Sequence, residues 1–198
     1  MTRSEKVFEA AKELYANTEI KMSKWMWDNH VQWVANKGKE LASKYNADVE
    51  KVYCAALLHD LADSKYPRSH ENFDVWSETK GKEILSEAGF NNCEASEIIE
   101  VIVRPHSCRP GNLPSTLEGR LLATADAMFH LQTSFFAIFC WENRPEKLSS
   151  YDEFQKFVDE KLDRDFKVKI FFEDERAEVE PDYQALSRVF RNRSLSSL

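Results

Sequence analysis

"AALLHDLADSKY", residues 55–66, opens as a buried helical segment and then sets His59 and Asp60 directly behind Leu57 and Leu58, with Asp63 one turn on. A packed core gains from the leucines, but a buried carboxylate costs several kcal/mol unless a cation or hydrogen-bond donors compensate it. Adjacent helical residues project about 100° apart, so His59 and Asp60 converge only on an object lying between their helix and a neighbour. A divalent cation is such an object. It neutralises the carboxylate, takes the neutral imidazole nitrogen, and requires further ligands from other helices.

Working outward, the periodicity predicts helices almost everywhere. Residues 4–16 place Val7, Ala10, Ala11 and Leu14 on one stripe. A helix over about 23–45 carries Trp27, His30, Val31, Val34, Gly38, Leu41 and Ala42 on one face. The next, Val49 to about Leu61, is more apolar and therefore central. "SKYPRSHENFD" reads as a polar loop. Helices follow over 74–88, stopped by Gly89, and over 94–103, closed by Pro105. After the proline-rich loop "RPHSCRPGNLPS", Ser115 heads a capping-box pattern that opens a long helix over about 116–141. Two more are predicted, over about 150–164 and after Pro181, with that proline in the first turn. "FKVKIFF" at 166–172 alternates like a strand but has no evident partner, and reads as a helical continuation. The apolar "FFAIFCW" at 135–141 is either fully buried or part of a homodimer interface.

Composition narrows the class. With 198 residues, 42% hydrophobic and 31% charged, the chain suits one domain with a helical extension. No run approaches a membrane span, and the charged, amphipathic start has no apolar stretch of the signal-peptide kind, which places the protein in the cytoplasm. A net charge of −7 disfavours nucleic-acid backbone binding. Cys54, Cys93, Cys108 and Cys140 form no CxxC pair and read as free thiols.

Two polar residues on apolar faces are the candidate remaining ligands. His30 sits in "WDNHVQWVANKG", and Asp126 in "LLATADAMFHL". Three helices then supply His, His-Asp and Asp. Imidazole with carboxylate suits one divalent ion of Mn, Fe, Co, Ni or Mg with open positions for water, and not a closed structural zinc site.

The ordered set His30, His59–Asp60 and Asp126 resembles the HD-domain metal-dependent phosphohydrolase superfamily, over roughly residues 20–140. "HVQWVANKGKELASKYNADVEKVYCAALLHDLADSKY" is similar to small bacterial HD proteins, some of which hydrolyse nucleoside triphosphates. "LEGRLLATADAM" is similar to the segment carrying their last aspartate. The resemblance implies an all-α HD-domain helical bundle, with its core over about 20–142 and a C-terminal helical extension over 143–198. It makes His30, His59, Asp60 and Asp126 the metal ligands. It gives Asp63 the part of orienting the attacking water or taking its proton.

The chemistry agrees: a bound divalent metal activates water, a nearby carboxylate accepts its proton, and cations stabilise charge on phosphate. Lys65, Arg104 and His106 are the candidate substrate contacts, with Arg109 beside them. The reading is a hydrolase of a small phosphorylated substrate, a nucleotide ester or anhydride. Two alternatives stand beside it. One is a di-iron oxygenase, which would add His70 and His106 as ligands of a second metal. The other is a non-catalytic nucleotide sensor.

Overall fold

The computed structural model describes residues 1–138 and 151–191. Every regular element among them is helical, and the one extended pairing is an isolated bridge between Arg109 and Asn112. The all-α expectation holds. No helix among the described residues is long and apolar enough to cross a membrane. The chain divides into two compact units, Met1–Ala125 and Asp126–Leu198.

The first unit starts with α1, Arg3–Ala16, closed at its N-terminus by a capping box of Thr2 and Glu5 and burying Val7, Ala11 and Tyr15. α2, Ser23–Trp25, runs through a π-helical turn, Met26–Val31, into α3, Gln32–Lys44. The predicted continuous helix is thus widened where His30 sits. α4, Val49–Leu58, is capped by the Asp48 side chain and buries Val52 and every residue from Cys54 to Leu58. It is the central helix, as its composition predicts. Gly38 lets α3 approach it, since a Cβ there would lie 3.1 Å from a Val52 methyl. Each buried leucine or isoleucine contributes about 1.5–3 kcal/mol, so this packing fixes the end of α4 firmly.

α4 stops at Leu58 rather than Leu61, and a 3-10 helix, Leu61–Ser64, follows the His59–Asp60 exit turn. α5, Phe73–Ala88, ends at Gly89 with φ 104°, the left-handed cap that glycine adopts without strain. α6, Asn92–Ser96, continues as a second π-helical turn, Glu97–Val103, which buries Ile98, Ile99 and Ile102. α7, Leu117–Gln132, is capped by Thr116, whose Oγ1 accepts the Gly119 amide at 3.1 Å; Ser115 does not head it.

The second unit begins within α7. The predicted run to residue 141 is interrupted at Thr133 and Ser134. Thr133 Oγ1 donates to the Phe129 carbonyl at 2.7 Å and accepts the Phe135 amide at 3.2 Å, offering the backbone an alternative to helical bonding. Phe135 and Phe136 are buried. Ala137 is exposed and Ile138 half-buried, so the described part of the apolar segment is not buried all round; residues 139–141 lie outside the described residues, and Cys140 with them. α8, Tyr151–Asp163, continues as a π-helical turn, Arg164–Lys169, so the alternating "FKVKIFF" starts helical and leaves the helix at Ile170. α9, Glu173–Phe190, contains Pro181 in its interior, not its first turn. Glu173, Asp174 and Glu175 supply the acidic first turn that favours a helix start there. Phe166 stacks on Tyr183 at 4.1 Å between ring centres.

Candidate metal centre

Three short-range features aim the side chains of the first unit. The π-helical turn carries an i→i+5 bond from the Gln32 amide to the Trp27 carbonyl and buries Met26, Trp27, His30 and Val31. Trp27 is wedged against Phe8 and Tyr15, with ring centres 5.1 and 5.6 Å away. At the end of α4, His59 keeps helical dihedrals, whereas Asp60 leaves them at φ −115°, ψ 27°. The Tyr15 hydroxyl donates to the Asp60 carbonyl at 2.6 Å and pins that exit. Adjacent side chains converge because the helix ends between them and the 3-10 turn.

The result is a triangle of donor atoms. His30 Nε2 lies 2.9 Å from His59 Nε2 and 3.1 Å from Asp60 Oδ2, and His59 Nε2 lies 3.5 Å from the same oxygen. All three residues are buried. A divalent ion with ligand bonds of about 2.1 Å in octahedral geometry separates neighbouring ligand atoms by about 3.0 Å, so the triangle fits one face of such an ion. His59 is oriented for the part: its Nδ1 faces the Ala56 carbonyl at 2.7 Å, which fixes the proton there and turns the Nε2 lone pair inward.

Asp63 comes from the 3-10 turn, and one guanidinium joins it to Asp60. Arg68 Nη2 donates to Asp60 Oδ2 at 2.9 Å, Nε donates to Asp63 Oδ1 at 3.0 Å, and Nη2 also reaches Asp63 Oδ2. Burial pushes the Asp63 carboxyl up to about 6 against the pull of Arg68. Burial acts the same way on Asp60, but Arg68, His59 and His30 outweigh it and hold that carboxylate well below its usual range. Arg68 did not emerge from the sequence, because its loop reads only as polar. The signal was available in the question of what neutralises two carboxylates so close together. The loop is itself framed: Tyr66 stacks on His70 at 4.1 Å, and Trp76 meets Tyr66 edge-on at 5.8 Å.

Of the other sequence candidates, His106 is near, its ring centre 5.1 Å from that of His59 and its Nδ1 against the Val103 carbonyl. Lys65 is exposed beyond the 3-10 turn. Arg104 is also exposed and engages Glu78 through both Nε and Nη2. His70 uses Nδ1 to accept the Asn72 amide at 3.2 Å. Neither His70 nor His106 joins a converging group of donor atoms among the described residues.

Asp126 lies in the second unit, buried on α7, in a network the sequence did not reveal. Lys169 Nζ pairs with its Oδ2, and His130 Nε2 lies 3.2 Å from its Oδ1. His130 Nδ1 lies 3.0 Å from Asp165 Oδ2, which Lys161 Nζ also meets at 3.0 Å. Burial, assisted by Lys161, drives the His130 imidazole down to about 4 despite both carboxylates. Asp165 goes the other way: burial raises it, but Lys161 and His130 hold it well below the ordinary range.

Residues 27–129, more than half of the chain, match the HD domain family model and span His30, His59, Asp60 and Asp126. The chain belongs to the HD-domain family. HD domains are all-α, generally metal-dependent phosphohydrolases, and bind divalent metals. The buried donor triangle of this HD domain is such a candidate site. No curated protein and no solved structure matches the chain.

Proposed function

We propose that this HD domain hydrolyses a phosphate ester or anhydride of a nucleotide, using one divalent ion held by His30, His59 and Asp60, with Asp126 as the fourth ligand that the family motif assigns. The observation that supports it most is the convergence of two imidazole nitrogens and a carboxylate oxygen within 2.9–3.5 Å, beside a second, half-buried carboxylate, Asp63. When bound, the ion polarises a phosphoryl oxygen and lowers the pKa of a coordinated water.

The protein's own groups do the rest. Asp63 accepts a hydrogen bond from the attacking water and takes its proton, a part suited to a carboxyl pushed up to about 6. Arg68 keeps the Asp63 carboxylate from rotating away. The Ala56 carbonyl and the Tyr15 hydroxyl hold His59 and Asp60 in register. His106 stands beside His59 to contact substrate, and Lys65 lies on the rim. Arg104 is occupied by Glu78 and receives no part. Asp126 would hold the ion only with Lys169 released from it.

The test is product analysis. Metal-stripped protein reloaded with Mn²⁺ is incubated with a mixed nucleotide panel and resolved by anion exchange. Release of phosphate or pyrophosphate that disappears in Asp60→Asn supports the proposal. A metal-loaded protein that leaves every nucleotide intact refutes it.

A further inference from the structure

Every substrate of the proposed reaction brings negative charge to a centre that is already negative. Asp60 and Asp63 face one guanidinium, and the neighbouring imidazoles add charge only when protonated. A divalent cation held by the donor triangle would reverse the sign of the balance, yet the phosphate oxygens it leaves uncoordinated still call for hydrogen-bond donors.

We propose that Arg68 binds the substrate's phosphate through the Nη1 edge of its guanidinium while Nε and Nη2 remain on Asp63 and Asp60. The inference rests on the hydrolase reading and adds the residue that carries substrate recognition. Three observations lead to it. The Arg68 side chain is 50% exposed, whereas its two carboxylate partners are 11% and 12% exposed, so the guanidinium forms the outer wall of the centre. Its hydrogen bonds use Nε and Nη2, and Nη1 donates to no group among the described residues. Arg104, a candidate phosphate contact in the sequence, has its fork filled by Glu78.

Guanidinium geometry makes the double duty possible. Five N–H groups lie in one plane, so one edge can grip a carboxylate while another presents parallel donors to a phosphate. A lysine ammonium offers no such division. The stacked Tyr66–His70 pair and the Pro67–His70 backbone bond, 2.9 Å long, brace the loop so that Arg68 is presented in a fixed place. Because the carboxylates neutralise Arg68 when no metal is bound, phosphate binding through it is coupled to metal binding.

Inorganic phosphate is the probe, titrated calorimetrically into metal-free and Mn²⁺-loaded protein. Wild type should bind it only when loaded. Arg68→Met should weaken binding at least about tenfold, as loss of charge-assisted hydrogen bonds implies, and Arg104→Met should leave it within about twofold. Mn²⁺ affinity, read from the electron spin resonance of free Mn²⁺, should be retained in Arg68→Met. A purely structural Arg68 would instead lower kcat and leave phosphate affinity unchanged, and that result overturns the inference. Should Arg68→Met fail to fold or load, Arg68→Lys keeps the charge without the fork; unchanged phosphate binding there overturns the inference as well. Wild type that loads Mn²⁺ but binds no phosphate also overturns it. Wild type that binds phosphate through Arg68 yet turns over no nucleotide keeps the anion site and refutes only the hydrolase reading.

Discussion

At the end of α4, two carboxylates share a single guanidinium beside two imidazoles; in the second unit, Lys161 and Lys169 stand directly on Asp165 and Asp126. Both clusters bury charge, and both must compensate it. The second unit carries its own cations, Lys161 near the end of α8 and Lys169 on the turn that follows. The first has donor atoms spaced for an ion and too little positive charge of its own. Buried carboxylates therefore do not mark a metal site by themselves. What marks the end of α4 is the convergence there of two imidazole nitrogens and a carboxylate oxygen at ligand spacing.

The sharpest way to break that contrast is Asp60→Asn. It should weaken Mn²⁺ binding by more than about 100-fold, beyond the loss usual for residues that merely support a ligand, and abolish thermal stabilisation by the metal. Retained stabilisation in thermal melts would show that the triangle is not the ion's seat.

Asp165→Asn is the counterpart in the second unit. It leaves the Lys161 ammonium buried without its carboxylate and should cost about 3–5 kcal/mol in urea unfolding. The loss should be equal in Mn²⁺ and in chelator. If Mn²⁺ repaired it, the second cluster would not be self-sufficient.

The two aspartates also titrate oppositely. In metal-free protein, carbon-detected NMR of labelled aspartate should show Asp63 titrating near 6, and Asp165 still ionised at the lowest pH the fold survives. Asp63 holds its proton more tightly folded than unfolded, so its contribution to stability is present below about 3.9 and is lost as pH rises through about 6. Asp165 contributes above the ordinary carboxylate value, and its share is lost as pH falls below it. A common midpoint for the two would erase the distinction.

The smallest effect belongs to the exposed pair Arg104–Glu78. Glu78→Gln should change unfolding free energy by less than about 1 kcal/mol, because solvent already screens both partners. A larger loss in a denaturant titration would give surface pairing a weight comparable to that of the buried clusters.

His30, His59 and Asp60 were legible because each interrupts an apolar face where a polar group needs a reason to be. The end of α4 was not, since Leu61 and Ala62 continue the apolar pattern and are equally buried in a 3-10 helix. Thr133 hid the break after α7 because its effect is a side-chain hydrogen bond, not a change in hydropathy. Pro181 suggested a helix start, yet acidic residues from Glu173 onward had already opened α9. Lys161, Asp165 and Lys169 did not stand out, because i,i+4 spacing looks alike whether the face meets water or the interior. Arg68 escaped for the opposite reason: a loop has no period against which one residue can look misplaced.

The π-helical turn at Met26–Val31 acts as a spacer whose length matters as well as its composition. Removing one residue from it would let the turn close to ordinary α geometry, leaving a helix that is continuous and well bonded. Everything upstream would then be rephased by about 100° relative to α3, along with Trp27 and its seat against Tyr15. This stretch would tolerate many exchanges of side chain more readily than a single deletion.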